Sequence, residues 1–327
     1  MVPLHYLITG GAGFIGSHLV DVLLEDGEQV TALDDLSTGN AENLQKASES
    51  PDFRFVEGSV LDEHVVDELV QECDAVVHLA AAVGVKLVVE QPLQSMITNI
   101  RGTENALASA HRHGKMILLA STSEVYGKTP DMPLSENADR LLGPPTVERW
   151  GYSTSKTVDE VLAAAYHRDH GLHTIVVRPF NTAGPRQSPA YGMVIPRLVR
   201  QAVAGQPLTV FGDGTQTRCF CHVSDVVAAL VGLLREPRAV GEVYNVGRAE
   251  EVSIRALAEI IKSMAMSESP IELIPYERVY EAGFEDMARR VPDTRKIAAL
   301  TGWLPQRTLH EIIEEAIAEA EAEAPGG

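Results

Sequence analysis

Thr9-Gly-Gly-Ala-Gly-Phe-Ile-Gly16 is the stretch that most narrows what this chain can become. It joins a short apolar run, Tyr6-Leu-Ile-Thr9, to a helix-period segment, Phe14 to Glu25. Glycines at Gly10, Gly13 and Gly16 allow a tight turn and a close backbone approach to a pyrophosphate. The amides of Phe14, Ile15 and Gly16 open the helix at its positive end, which suits an anion. Close packing alone would explain Gly16 but not the whole combination. The next apolar run ends in Leu33-Asp34-Asp35, about where a carboxylate meets the adenosine ribose of a dinucleotide. A carboxylate there accepts a hydrogen bond from a free 2'-hydroxyl and repels a 2'-phosphate, which favours NAD over NADP.

The glycine turn opens a regular alternation. Branched apolar runs recur at Val30 to Leu33, Phe53 to Val56, Ala75 to Leu79, Met116 to Ala120 and Thr174 to Val177, with helical stretches such as Asp62 to Gln71 between them. Strand, helix, strand in this order predicts an α/β fold with a doubly wound parallel (Rossmann) sheet covered on both faces. After about Arg178 the rhythm breaks and prolines cluster, from Pro179 to Pro207. Val243-Tyr-Asn-Val246 reads as one more strand. The expected division is a dinucleotide-binding domain over 1–180 plus about 218–246, and a smaller, mostly helical substrate lobe over 181–217 and 247–327. The acidic run Glu311 to Glu323 carries Ile312, Ile313 and Ile317 at helical spacing and reads as a solvated terminal helix.

Charge narrows the partners. The 327 residues carry 46 acidic against 27 basic side chains, a net charge of -19, which speaks against nucleic acid because phosphate neutralisation needs a cationic surplus. Cys73, Cys219 and Cys221 are too few for a disulfide framework and suit a reducing cytoplasm. Cys219-x-Cys221-His222 lacks a second ligand pair, so it reads as buried thiols and no metal site is expected. No stretch approaches the ~18 uninterrupted apolar residues of a membrane span, and no basic-then-apolar leader precedes the first strand, so a cytoplasmic protein free of membrane is expected.

Two stretches carry chemistry. Arg149-Trp-Gly-Tyr152-Ser-Thr-Ser-Lys156 begins a helix that runs to about His170 and ends at Gly171. Tyr152 and Lys156 are four apart and share a face. An ammonium beside a phenol lowers its pKa, and such a tyrosine can take a proton from a sugar hydroxyl as hydride leaves. The other stretch is Ser121-Thr-Ser-Glu124-Val-Tyr-Gly127, at the end of an apolar run. Its hydroxyls either cap a turn or touch a ligand.

Together these motifs resemble the extended short-chain dehydrogenase/reductase family, and within it the nucleotide-sugar epimerases, dehydratases and decarboxylases. The likeness spans nearly the whole chain. Its markers are Thr9 to Gly16, His78-Leu-Ala-Ala81, Asn99-Ile-Arg-Gly-Thr103, Ser121 to Gly127, Tyr152 with Lys156, Arg178 to Arg186, Gly212 to Arg218 and Arg289-Arg-Val-Pro-Asp293. The resemblance implies NAD, a UDP-sugar substrate oxidised at C4 to a ketone, and a homodimer built through the helices Pro92 to Ala110 and the one bearing Tyr152.

It also implies roles for particular residues. Thr122, Glu124, Tyr152 and Lys156 form the catalytic set, with Thr122 on the same sugar oxygen as Tyr152. Ser59, Val60, Leu79, Ala80, Ala81 and Asn99 join the glycine turn, Asp34 and Asp35, Tyr152 and Lys156 around the cofactor. Asn181 and Arg218 hold the diphosphate. The strand Pro207 to Phe211, with Thr209 and Phe211, lines the base, and Arg186 and Val194 are further substrate-binding residues. Either Arg289 or Arg290 faces the sugar carboxylate or the diphosphate. Ser123-Glu124, where dehydratases carry Asp-Glu, is similar to the UDP-glucuronate decarboxylases, as are Gly302-Trp303 and Arg149-Trp150. Tyr152-Ser-Thr-Ser-Lys156 and the loop Val83-Gly-Val-Lys86 depart from the xylose-forming enzymes. UDP-glucuronate decarboxylation is therefore the leading expectation, and 4-epimerisation of UDP-glucuronate or UDP-glucose the alternative. A 4,6-dehydratase fits less well, and a non-catalytic NAD sensor fits poorly with Thr122, Tyr152 and Lys156 all present. Glu124 lies two residues after Thr122, so on an extended strand both point one way. Facing a sugar carboxylate it needs a proton, a water or an arginine, Arg290 first, and its role stays open between catalysis and a turn held by local amides.

Overall fold

The structure, a computed structural model, describes residues 2–84, 90–189, 193–279 and 287–323. Its centre is a seven-stranded sheet: β1 (His5–Thr9), β2 (Gln29–Asp34), β3 (Phe53–Glu57), β4 (Ala75–His78), β5 (Met116–Ala120), β6 (Thr174–Pro179) and, later in the chain, β11 (Val243–Val246). All pairings are parallel, in the order β11-β6-β5-β4-β1-β2-β3. The order reverses between β1 and β4, and that crevice is where open α/β sheets bind nucleotides.

Helices α1 (Phe14–Glu25), α2 (Glu63–Glu72), α3 (Pro92–His113) and α4 (Arg149–His170) cross between strands. Their ends follow local chemistry. Asp62 caps α2 through the amides of His64 and Val65, and Gly114 and Gly171, both left-handed, close α3 and α4. One face of the sheet packs on α1 and α6 (Val223–Leu234), the other on α2, α3 and α4.

A second core gathers α5 (Val194–Val203), β8 (Leu208–Phe211), α7 (Ile254–Met264) and α9 (Leu309–Glu323), and β8 pairs in parallel with β13 (Ile271–Ile274). Here β7 (Thr182–Ala183) pairs with β10 (Cys221–His222), and β9 (Thr217–Cys219) with β12 (Glu251–Ser253). The short α8 (Arg295–Thr301) precedes α9.

The acidic terminal helix is not simply solvated. Ile312, Ile313 and Ala316 of α9 are buried, while Arg307 pairs with Glu311 and Glu315, and Arg200 with Glu323. The charge run is thus the outer face of a core helix. Among the described residues no helix is long and apolar enough to cross a membrane, and no cluster of potential ligands could hold a metal. All three cysteines are buried and free, and burial pushes the Cys219 thiol up to about 12. His222 caps α6 by accepting from the Ser224 amide.

Candidate active site

A cleft of about 1570 Å3 runs from the glycine turn past the C-terminal ends of the strands to the second core. At one end β1 turns into α1. Gly10 has a left-handed φ of +72°, and a Cβ there would lie 2.8 Å from the Ala80 nitrogen. A Cβ on Gly16 would lie 2.1 Å from the Gly10 carbonyl oxygen. The N-cap, Gly13, gives α1 no side-chain cap, so its first-turn amides face the cleft uncovered by their own helix. Asp34 is buried at the end of β2, its carboxylate accepting from the amides of Ala12 and Leu36, each at 2.9 Å. Burial raises its pKa and those amides oppose the rise. Four lone-pair sites on a carboxylate leave capacity for a ribose hydroxyl as well. An uncapped helix start, glycines with no room for a Cβ and a recessed carboxylate fit a dinucleotide.

Ser59, Val60, Leu79, Ala80, Ala81 and the exposed Asp35 line the same end. Asn99 does not. It is buried behind the wall, its side chain bonded to both backbone groups of Ala82 and to Ser155, so it shapes the cofactor loop from a layer back. The loop Val83-Gly-Val-Lys86 runs on into residues outside those described.

The middle of the cleft holds Thr122, Glu124, Tyr152 and Lys156, the set expected to be catalytic. Thr122 follows β5, and its hydroxyl accepts from the Glu124 amide at 3.2 Å. Residues Ser123–Tyr126 then form a 3-10 turn. The extended-strand expectation for Glu124 therefore fails: the threonine's own cap folds the chain. Ser121 turns inward and donates to Glu160 at 2.5 Å. Thr122 is also a hydrogen-bond partner of the Tyr152 phenol, and Tyr152 and Lys156 both line the cleft. The phenol does not sit low. Burial and then the Glu124 charge push it upward, more than Thr122 and Arg149 pull it down. The Lys156 ammonium is itself engaged, 3.1 Å from Asp159.

Glu124 is held by arginines. Arg149 grips both carboxylate oxygens, Nη2 to Oε1 at 2.9 Å and Nη1 to Oε2 more closely, and Arg290 Nη1 stands 3.4 Å from Oε1. Arg149 is 4% and Arg290 8% exposed. Burial raises the Glu124 pKa, but Arg149, with help from Arg290 and Arg218, outweighs it and holds the carboxyl at about 2, so it is ionised. Arg149 was missed as a partner, yet it lies three residues before Tyr152, one turn along the same helix. Of the two neighbouring arginines only Arg290 faces the site. Arg289 pairs with Glu251 at the surface.

Toward the second core, Asn181 accepts from Arg290 Nη2 at 2.7 Å, and Arg218 is buried with Nη1 donating to the carbonyls of Thr217 and Met287. Asn181, Arg218, Val194 and Phe211 line the cleft. Arg186 lines it too, but its Nη2 is committed to Asp21 on α1 at 2.7 Å. Thr209 is outside the lining: Gln201 and Arg197 take up its amide, carbonyl and hydroxyl. Thr209 and Phe211 share a face of β8, and Arg197 covers it at Thr209 while stacking against Phe211, 4.2 Å from the ring centroid. Gln216, inside the Gly212 to Arg218 marker but given no role there, and Tyr276, which no motif marked, are hydrogen-bonded at 3.1 Å and add to the lining.

Comparison with known proteins agrees with this architecture. The profile of the NAD dependent epimerase/dehydratase family matches residues 6–247. A UDP-N-acetyl-alpha-D-glucosaminuronate decarboxylase of Bacillus cytotoxicus is 41% identical over 313 residues, covering 95% of this chain and 96% of that protein. UDP-glucuronic acid decarboxylase 1 of Danio rerio is 38% identical over 311 residues, covering 95% and 71%. Among solved structures, the UDP-glucuronic acid 4-epimerase of Bacillus cereus, in complex with UDP-glucuronic acid and NAD, superposes with a TM-score of 0.88 at 27% identity, covering 98% of this chain and 99% of that one.

Proposed function

The chain belongs to the NAD dependent epimerase/dehydratase family, and from that premise we propose that it decarboxylates a UDP-linked hexuronate, UDP-glucuronate in the first instance. The observation that carries the reading is the cluster beside Tyr152. Two buried guanidiniums, Arg149 and Arg290, meet the Glu124 carboxylate where all three line the cleft. A guanidinium at the cleft wall can take a sugar carboxylate through charge-assisted hydrogen bonds. The decarboxylase relatives, similar over 95% of this chain, support the same choice.

When bound, NAD accepts hydride from C4 of the sugar and returns it at the end of the cycle. Tyr152 takes the C4 hydroxyl proton, steadied by Thr122 on the same oxygen. The C4 ketone then stands β to the C6 carboxylate. The C5–C6 bond breaks, carbon dioxide leaves, and the electron pair enters the C4–C5 enolate, which is protonated at C5. Glu124 stays ionised and acts through charge: it repels the carboxylate beside it, and loss of neutral carbon dioxide relieves that repulsion. Tyr152 gives its proton back to the C4 oxygen. Asp34 meets the adenosine ribose, and Asn181 and Arg218 hold the diphosphate. In this assignment residues 1–180 with about 218–246 serve the cofactor, and 181–217 with 247–327 serve the nucleotide sugar. The protein works in the cytoplasm as a homodimer.

The deciding experiment offers the purified protein UDP-glucuronate and UDP-N-acetylglucosaminuronate and follows carbon dioxide and product mass. Carbon dioxide release with a pentose-type product is expected from one of them. A product of unchanged mass, the 4-epimer, would replace decarboxylation with epimerisation.

A further inference from the structure

Lys156 and Asp159 are one turn apart on α4, with Nζ 3.1 Å from Oδ2, and each side chain is only 3% exposed. They sit beneath the reacting tyrosine, where α4 packs against α3. Taking an ammonium and a carboxylate out of water is costly, and an apolar residue at 159 would pack there without that cost. A buried ion pair adjoining a reactive group points to use rather than to stability.

The surroundings give the pair a direction of effect. On its own helix Lys156 has Tyr152 one turn back. From β4 comes His78, fully buried, which its surroundings and the Lys156 charge hold down at about 3, so it is neutral and competes for no charge. From α3 comes Thr103, whose hydroxyl is 3.2 Å from His78 Nε2; burial raises the Asp159 pKa, and Lys156 and then Thr103 oppose the rise by favouring its ionised form. From the turn after β5 comes ionised Glu124, bound to Arg149. Glu160, next to Asp159, is spent on Arg178, with oxygens at 2.8 and 2.6 Å. Asp159 is thus the carboxylate that meets the lysine, and its negative charge also works against ionisation of the Tyr152 phenol.

We propose that Asp159 is a positioning residue of the reacting pair: a buried counter-ion that anchors the Lys156 ammonium and limits how much of its charge reaches the Tyr152 hydroxyl. It sets the pH at which the tyrosine becomes a base. The inference rests on the reading of Tyr152 and Lys156 as the reacting pair.

The test uses the NAD-loaded enzyme with UDP-glucuronate, and two readouts against pH: kcat, and the phenolate ultraviolet difference signal of Tyr152, isolated by subtracting Tyr152→Phe. Asp159→Asn removes the charge and keeps the shape. Both the acid limb of kcat and the phenolate midpoint should move to lower pH by about one unit. Asp159→Glu, which keeps the charge, should leave both near the wild-type position even if kcat falls. Should Asp159→Asn fail to fold, Asp159→Ser carries the same expectation. Profiles that superimpose on the wild type in the neutral variants overturn the proposal, whatever happens to the rate. Tyr152→Phe separates the two levels. A loss of about 10²- to 10⁴-fold in turnover is expected of a general base, and near-normal turnover would remove the reacting pair itself rather than the role of Asp159 alone.

Discussion

At the scale of single residues, the cleft is governed by which charges find partners away from water. Glu124 shows the consequence most clearly. Its carboxyl is depressed from 4.5 to about 2 by Arg149 and Arg290, so it binds fewer protons folded than unfolded. The stabilisation is complete above about pH 4.5 and disappears as pH falls toward about 2. Glu124→Gln leaves the two arginines facing a neutral amide in a buried site, a change of about 3 kcal/mol or more. Melting wild type and variant across the acid range should show a wide gap at neutral pH that closes as the carboxylate is protonated. A gap independent of pH would mean that the pair contributes nothing through charge. The motif had marked Glu124, and chain proximity had marked neither arginine. The resemblance had put Arg290, 166 residues away, first as its partner, but Arg149, 25 residues away, was selected by packing alone.

At the scale of elements, the boundaries were legible because caps and breakers are local. Phe14–Glu25, Met116–Ala120, Val243–Val246 and the helix from Arg149 to His170 stand where their patterns place them. Glycine is the element-scale device with the sharpest test. At Gly16 a Cβ would press on the Gly10 carbonyl, so Gly16→Ala must open the turn. Mass spectrometry should find NAD in the purified wild type and none in the variant. Gly232 in α6 is the contrast, since its Cβ would meet only Thr301 at 4.0 Å. Gly232→Ala should leave the cofactor in place and stabilise by about 0.5–1 kcal/mol through the unfolded chain. If both variants keep NAD equally, the Gly16 cradle is not what holds it. Glu124 was misplaced on a strand for an element-scale reason as well. A threonine followed by polar residues can fold back on its own amide, and the apolar run before it carries no sign of that.

At the scale of the whole molecule, two cores meet along one cleft, and α3 and α4 present a further face. Leu93 on α3 is 73% and Val161 on α4 62% exposed, on helices that also carry the site. If this is the homodimer face, Val161→Glu should convert a dimer into a folded monomer by light scattering. A wild-type monomer, or a dimer indifferent to the change, rules that face out. Much of the molecule was nevertheless determined by the sequence alone: the parallel sheet, the dinucleotide turn, the carboxylate at the end of β2 and the Tyr152–Lys156 spacing. These follow from periodicity, glycine geometry and i, i+4 proximity, which act over a few residues. What only the tertiary structure decided is the electrostatics. The Tyr152 phenol lies above its ordinary pKa, the reverse of the expectation from Lys156 alone. Arg186 lines the cleft with Nη2 held by Asp21, and Thr209 turned to α5, out of the lining. Asp159, unmarked by any motif, became the buried partner of the lysine. Burial and long-range charge depend on which helices close over a side chain, and in a low-dielectric interior those neighbours outweigh the residue's own type.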